Sequence, residues 1–393
     1  MLGNLNLFVN ALGRLESRGI AVEAKRCTRL RHRIASCTRC SEVCPTEAIQ
    51  WGEDSLLLDP DKCTGCGACA TVCPTAALEA KSPSDVQLHA AAKARVKDVG
   101  AAAFACERYL KASACDRSRV IEVSCLARID ESILISAVAA GAASVQMFDG
   151  ACATCRQEKA WEIAAKAAAS ANALLAAWGK PSLVKLGRQT STAMEKARVE
   201  IRPMGGMSRR GFFTVLRGET AEVASGAIAG VVGATEAAKK RPPRQVSLDD
   251  YRKHVPEKRR YLLASLKALG QPVAQKLCTS LWAKVTIAGN CTGCQGCVTF
   301  CPTGALTKFE HGGQAGISFQ TSDCTDCMLC EDICQRALRT GSLTATQPIE
   351  LTDVLQPTSE VLIAKPKEQF MRVNAKMEDK LAALLNTTIV SYS

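Results

Sequence analysis

The chain has no uninterrupted apolar run of ~18 residues or more, so no transmembrane helix is expected. Its opening residues, Met1-Leu2-Gly3-Asn4-Leu5-Asn6-Leu7, lack the basic and long apolar regions of a secretory signal. Aromatic residues make up 4 % of the chain and there are four histidines, His32, His89, His254 and His311, which are scattered and read as surface residues. No basic stripe interleaved with aromatics is present, so no nucleic-acid partner is expected. There is also no nucleotide fingerprint, no serine or cysteine triad pattern and no carboxylate dyad. The expectation is a soluble cytoplasmic protein that is not built around a hydrolytic or nucleotide site.

What the chain has instead is cysteine: 22 in 393 residues, clustered at C-x2-C spacings. Such clustering argues for metal ligation rather than disulfides, and for a reducing compartment. The 47 % of hydrophobic residues can supply cores for about two to four domains. The formal charge of +12 treats every thiol as neutral. A cluster held by four thiolates is anionic, so the loaded protein is less basic than its sequence.

The clearest stretch is Cys63-Thr64-Gly65-Cys66-Gly67-Ala68-Cys69-Ala70-Thr71-Val72-Cys73-Pro74, a C-x2-C-x2-C-x3-C-P run of the iron–sulfur type. Gly65 and Gly67 lack Cβ and allow the loop to close on a cluster through positive φ. Structural zinc is the competing reading, but zinc ribbons separate their two cysteine pairs by a longer stretch. Upstream lies Cys37-Thr38-Arg39-Cys40-Ser41-Glu42-Val43-Cys44-Pro45. Aligned on the closing C-x3-C-P, the first cysteine of this run falls on Ile34. Cys27 is the nearby substitute, reached through an arginine-rich excursion; the alternative is a [3Fe-4S] or vacant site with Cys27 as bystander. Ala48-Ile49-Gln50-Trp51 and Leu56-Leu57-Leu58 flank Gly52-Glu53-Asp54 as a β-hairpin, and short helices are expected over residues 46–49 and 75–78.

The first pattern recurs. Cys291-Thr292-Gly293-Cys294-Gln295-Gly296-Cys297-Val298-Thr299-Phe300-Cys301-Pro302 repeats it spacing for spacing, and Cys324, Cys327, Cys330 and Cys334 follow, with Gln335 in place of the proline. Losing that proline alters a turn without removing a ligand. Gly312-Gly313 reads as the turn of a second hairpin. Residues 27–81, and again the run from Cys291, resemble the bacterial two-cluster ferredoxins. The resemblance implies two [4Fe-4S] clusters per module, with the fourth cysteine of each run serving the neighbouring cluster. The implied sets are Cys27, Cys37, Cys40 and Cys73; Cys44, Cys63, Cys66 and Cys69; Cys291, Cys294, Cys297 and Cys334; and Cys301, Cys324, Cys327 and Cys330. Cys278 reads as an ordinary buried residue.

Between the modules, apolar strands over residues 96–105, 119–124 and 143–148 alternate with helices over 130–140 and 156–178, the first capped by Asp130. This alternation predicts an α/β domain with an open parallel sheet. Cys106, Cys125 and Cys152 each fall just past the carboxyl end of a predicted strand, with Cys155 at C-x2-C spacing from Cys152. Ligands of open α/β sheets bind at that edge, so a further cluster is expected; several small buried hydrophobes are the alternative. The segments Phe104-Ala105-Cys106, Val123-Ser124-Cys125-Leu126-Ala127-Arg128-Ile129-Asp130 and Asp149-Gly150-Ala151-Cys152 resemble the delta subunit of methyl-viologen-reducing hydrogenase, an iron–sulfur family that passes electrons into heterodisulfide reductase. The resemblance implies a [2Fe-2S] cluster on Cys106, Cys125, Cys152 and Cys155. Tyr109 stands where that family has the second cysteine of its first pair, and the closing pair is tighter here; Cys115 is the alternate ligand.

Residues 203–260 carry twelve Lys/Arg against six Asp/Glu, half of the chain's excess positive charge. Ser208-Arg209-Arg210-Gly211-Phe212-Phe213 looks like a twin-arginine box, but export signals act at an N-terminus and Glu219 and Glu222 interrupt the apolar segment after it. The segment reads as an amphipathic helix and basic connector, or as a strap for an acidic partner. The expected plan is α+β: two ferredoxin-like modules (residues 1–81, opening on an amphipathic helix over 1–26, and 278–340) flanking the α/β domain (86–202), with a basic helical linker (203–277) and an extended tail (341–393) that has one helical pattern near 377–385. The expected function is relay of single electrons between a cytoplasmic redox enzyme and another carrier, within a multisubunit complex. The resemblance suggests a hydrogenase, formate dehydrogenase or heterodisulfide-reductase-like partner. Two other classes stay open: catalysis at an open iron of the irregular or central site, and a cluster carrier or redox sensor.

Overall fold

The computed structural model of the chain describes residues 19–187 and 253–367 together with 369, apart from 53, 54, 114, 151 and 357. Four short strands frame the first module: β1 (Ile20–Val22), β2 (Ile49–Trp51), β3 (Leu56–Leu58) and β4 (Leu78–Ala80). β2 and β3 form the expected hairpin, with Ile49 opposite Leu58. β1 pairs antiparallel with β4, Ile20 opposite Ala80. The expected helix over residues 1–26 is therefore not what residues 20–22 form: two β-branched residues in three favour the extended chain when a strand edge is available. Residues 1–18 lie outside the described residues.

The helices expected after the Cys-Pro pairs are also absent. Glu47 and Ala76 take positive φ values of 53° and 51°, which halts a helix at once, and strands start at Ile49 and Leu78. The helical turns sit before the closing cysteine of each run instead, at Arg39–Glu42, Ala68–Val72, Gly296–Phe300 and Leu329–Asp332. Each of these turns carries a cysteine of its run.

The middle of the chain folds on a four-stranded, all-parallel sheet of β5 (Ala102–Cys106), β6 (Ile121–Val123), β7 (Val145–Phe148) and β8 (Val184–Gly187), in the order β6-β5-β7-β8. Every residue of β5 is buried, the pattern of a parallel strand covered on both faces. The first strand is shorter than its apolar run suggests. Val96 belongs to the helix Asp85–Val99, which starts at a Ser84/Gln87 capping box and stops at left-handed Gly100. Asp130 caps the helix Glu131–Ala139 as expected, its Oδ1 accepting from the Ile133 amide at 3.2 Å.

This core draws on distant segments. The helix Glu257–Ala268 inserts Leu262 and Leu266, Trp282 joins them, and the short helix Leu351–Leu355 adds Leu351 and Val354. The remaining strands are β9 (Lys276–Leu277), β10 (Lys284–Ile287), β11 (Leu306–His311), β12 (Gln314–Phe319), β13 (Leu343–Thr346), β14 (Ile349–Glu350) and β15 (Glu360–Pro366). β11 and β12 make the second hairpin, with Gly312 and Gly313 at positive φ in its turn. β13 pairs with β10, β14 with β9, and β15 adds a third strand beside β12. The described part of the tail is thus built into the body. The twin-arginine-like segment, most of the basic connector and the 377–385 pattern lie outside the described residues.

Three expectations about single residues are corrected. Cys278 is exposed, not buried, because it follows the edge strand β9. His32 and His89 are buried at 3 % and 1 % exposure rather than at the surface. His32 packs edge-on against Phe300, and His89 stacks on Tyr261 at 3.8 Å while its Nε2 contacts the Ser132 hydroxyl at 3.2 Å. Burial holds the His89 pKa below the ordinary 6.5. Its folded form prefers the neutral ring, so unfolding takes up a proton below that pH and stability falls as the medium is acidified. We expect His89→Gln to lose stability less steeply than the wild type between pH 7 and 5 in thermal unfolding; equal slopes would show that His89 is not a source of the acid sensitivity.

Candidate metal centres

All 22 cysteines are free thiols. Twenty of them collect into five groups of four. Cys44, Cys63, Cys66 and Cys69 line one small cavity, Cys301, Cys324, Cys327 and Cys330 a second, and Cys291, Cys294, Cys297 and Cys334 a third. Each group takes three cysteines from one run and the fourth from its companion. Cys27, Cys40 and Cys73 pack in one apolar cluster of the first module, and Cys37 lies within electrostatic reach of Cys27 and Cys40. Cys27, at the head of the helical turn Thr28–Arg31, thus joins the group from which Ile34 is missing. Among the described residues, no three cysteine, histidine or carboxylate groups converge on a point as a single metal ion requires. The thiols surround spaces instead.

The loops explain why. In the three regular runs, the residue two places after the first cysteine and the residue just after the second are both left-handed: Gly65 and Gly67, Gly293 and Gln295, Asp326 and Met328. Alternation of this kind turns successive amides toward an anion. The irregular run lacks it; Thr38, the residue after Cys37, has φ −126°. Beyond each Cys-Pro of the first module, the left-handed residue points an amide back at the thiol: Ala48 N–H donates to Cys44 Sγ and Ala77 N–H to Cys73 Sγ, both at 3.2 Å. Cys334 has no proline after it, and the chain runs on through a π-helical turn, Ile333–Ala337. Its thiol receives the Leu343 amide at 3.2 Å and lies 3.1 Å from the Thr340 hydroxyl instead. The lost proline changes the turn and keeps the sulfur's donor.

The fifth group lies at the carboxyl edge of the parallel sheet. Cys106 ends β5, Cys125 follows β6, Cys152 and Cys155 follow β7, and all four line a cavity of about 400 Å³. The cavities of the three complete ferredoxin-type groups are about 20 Å³. Gly150 has to be glycine, since a Cβ there would sit 2.8 Å from Cys106 Sγ. Arg108 braces the loop through Thr154, donating to its carbonyl at 3.0 Å and its hydroxyl at 2.9 Å. Tyr109 turns away, stacked on Phe148 at 5.0 Å in a hydrophobic layer that Cys115 also borders. Neither residue lines the cavity.

Burial raises these thiols. Cys40, Cys125 and Cys152 are pushed up to about 12, Cys152 with help from Asp149. A thiolate at such a place needs a cation, so metal binding releases protons there. This donor chemistry fits iron–sulfur clusters: soft sulfur ligands, backbone amides aimed at sulfur, and exclusion of water.

Residues 18–77 and 290–337 both match the 4Fe-4S dicluster domain family. The two ends of the chain are ferredoxin-like iron–sulfur modules of the kind that carries electrons. No curated protein and no solved structure matches the chain.

Several contributors to these sites were not foreseen. Lys258 Nζ donates to the carbonyls of Ala70 and Thr71 at 3.0 and 2.8 Å, at the end of the ligand-bearing turn of the first module. Lys253 Nζ does the same at the equivalent turn of the second, donating to Val298, Thr299 and Cys301 at 2.7–2.8 Å. Both lysines come from one short stretch of the basic connector, which therefore clamps the chain's own modules. The clue in the sequence is a net basic stretch between two anionic modules, but charge alone does not say what it meets. Arg259, beside them, is buried over Trp282 at 4.2 Å and near Cys324. A cation next to a cluster favours its reduced, more negative form. We expect Lys253→Met to shift a potential of the C-terminal module negative by roughly 60 mV, a tenfold change in a one-electron equilibrium, with iron content unchanged in an EPR-monitored redox titration; an unmoved potential would leave Lys253 a purely structural clamp.

Proposed function

We propose that the protein is a multi-cluster electron-transfer component that relays single electrons between a cytoplasmic redox enzyme and another carrier. The observation that carries this reading is the convergence of Cys106, Cys125, Cys152 and Cys155 on one cavity at the carboxyl edge of the parallel sheet, beside two modules of the dicluster family. In this reading the four groups of the end modules hold four [4Fe-4S] clusters, with Cys27 a ligand in place of Ile34. The central four hold a fifth cluster, for which the resemblance to the hydrogenase delta family favours [2Fe-2S]. The same resemblance supports a hydrogenase, formate dehydrogenase or heterodisulfide-reductase-like partner in a multisubunit complex. Clusters supply the redox chemistry, and the chain's part is spacing, burial and potential.

A catalytic reading has one observation in its favour. The central cavity is far larger than those of the three ferredoxin-type groups, which leaves room for a small molecule beside a cluster with an open iron. Turnover of a substrate by the isolated chain would establish it over relay.

Anaerobic purification with iron and sulfide quantitation tests the proposal. We expect about eighteen irons per chain, four cubanes and one [2Fe-2S]. About sixteen would remove the central cluster, and zinc with little sulfide would sink the whole reading. Cys27→Ser is expected to abolish or convert the signal of one cluster; an unchanged EPR spectrum would make Cys27 a bystander.

A further inference from the structure

The irregular run at residues 34–44 is where the two end modules meet. Ser36 donates to Asp332 Oδ2 from both its amide and its hydroxyl, each at 2.8 Å. Arg39 Nη2 donates to the Asp326 carbonyl at 2.7 Å and pairs with its carboxylate. Ala35 packs with Phe300, Leu329 and Ile333, and Ile34 and Cys327 border the same apolar contact. The position where a regular run carries its first cysteine is thus occupied by a residue of this interface. With Cys27 standing in for that first cysteine, the loop is free to act as a docking surface.

The other face of the first module meets the parallel-sheet domain. Cys66 and Cys125 lie in one apolar cluster with Ala68, Ala127 and Ile163. Thr71 Oγ1 donates to the Ala127 carbonyl at 2.7 Å. A Cβ on Gly67 would lie 2.6 Å from Arg128 Cδ, so the loop holding Cys66 and Cys69 is pressed directly on the neighbour. Inside each module the two groups share one core: Cys40, Cys44, Cys69 and Cys73 in the first, Cys297, Cys301 and Cys334 in the second, with Cys324 and Cys330 against it.

We infer that the five cysteine groups form one unbranched electron path. Its order is the sheet-edge group (Cys106, Cys125, Cys152, Cys155), then Cys44/Cys63/Cys66/Cys69, then Cys27/Cys37/Cys40/Cys73, then Cys301/Cys324/Cys327/Cys330, and last Cys291/Cys294/Cys297/Cys334. The Ile34–Arg39 contact is the bridge between the two halves. The inference rests on the electron-transfer reading and adds its route and its ends. Each cysteine group would hold a cluster able to give up one electron as the next takes it up, an exchange in which no bond forms or breaks and no co-reactant is needed. The terminal groups exchange electrons with one-electron redox proteins. Because the middle group is the irregular one, the departure from the ferredoxin pattern marks the junction rather than a damaged site.

The test is pulsed dipolar EPR on the anaerobically assembled full chain, reduced stepwise with dithionite. The wild type should show spin coupling between a cluster of the first module and one of the second. Ile34→Glu, which places a charge in the apolar contact without touching a thiol, should keep its iron content and weaken that coupling. Cys37→Ala with Cys40→Ala, which removes the middle cluster, should leave the coupling within the second module and remove the shortest-distance coupling across the junction, leaving only weaker couplings to the more distant groups. Wild-type clusters that are present and reducible but uncoupled across the junction would overturn the path. So would a cross-module coupling that persists undiminished in Ile34→Glu or in the double variant. A chain without reducible clusters would instead defeat the electron-transfer reading itself.

Discussion

Four thiolates and their iron–sulfur core concentrate negative charge in a small, water-poor volume, and the rest of this structure is arranged around making that tolerable. Burial alone drives the thiols the other way, pushing Cys40, Cys125 and Cys152 up to about 12. The compensation comes from dipoles and cations. Left-handed residues turn amides inward, the amides of Ala48, Ala77 and Leu343 reach sulfur, and Lys253, Lys258 and Arg259 supply charge from a single stretch. Interactions of this kind set potential as well as stability.

The stretch that supplies those cations also ties the domains together. Lys253 engages the second module and Lys258 the first, while Leu262 and Leu266 of the same helix enter the core of the parallel-sheet domain. Trp282, Leu351 and Val354 extend that core toward the second module. The modules are held by shared packing as well as by their covalent links. Fixed spacing matters for a relay, because electron tunnelling falls steeply with distance. The Ser36–Asp332 and Arg39–Asp326 contacts add polar selectivity to the junction.

Much of each site could be read in advance. Cysteine spacing predicts loops, loops predict clusters, and two hairpins flanked by such runs predict the module. The groupings of four follow the fourth-cysteine crossover of the family the runs resemble. Legibility fails where a residue's role depends on what comes to meet it. Val96 reads as strand because a valine beside alanines suits either element, and only the Ser84 cap and Gly100 stop settle it. Residues 46–49 and 75–78 read as helix from composition, whereas the thiols claim their amides. His32 and His89 read as surface because a lone polar residue carries no sign of a later aromatic partner.

What the sequence by itself determined is local: the cysteine spacing, the glycines and short turns that allow loops to wind around sulfur, and the capped helices of the parallel-sheet domain. These depend on residues within a few positions of each other, where covalent geometry dominates. Only the tertiary structure decided that Ile34 is part of a junction, that Lys253 and Lys258 face equivalent turns of two modules, and that Cys66 lies against Cys125. Each of these contacts joins residues far apart in the chain, and the force behind them, removal of apolar surface from water, is non-directional and carries no address in the sequence.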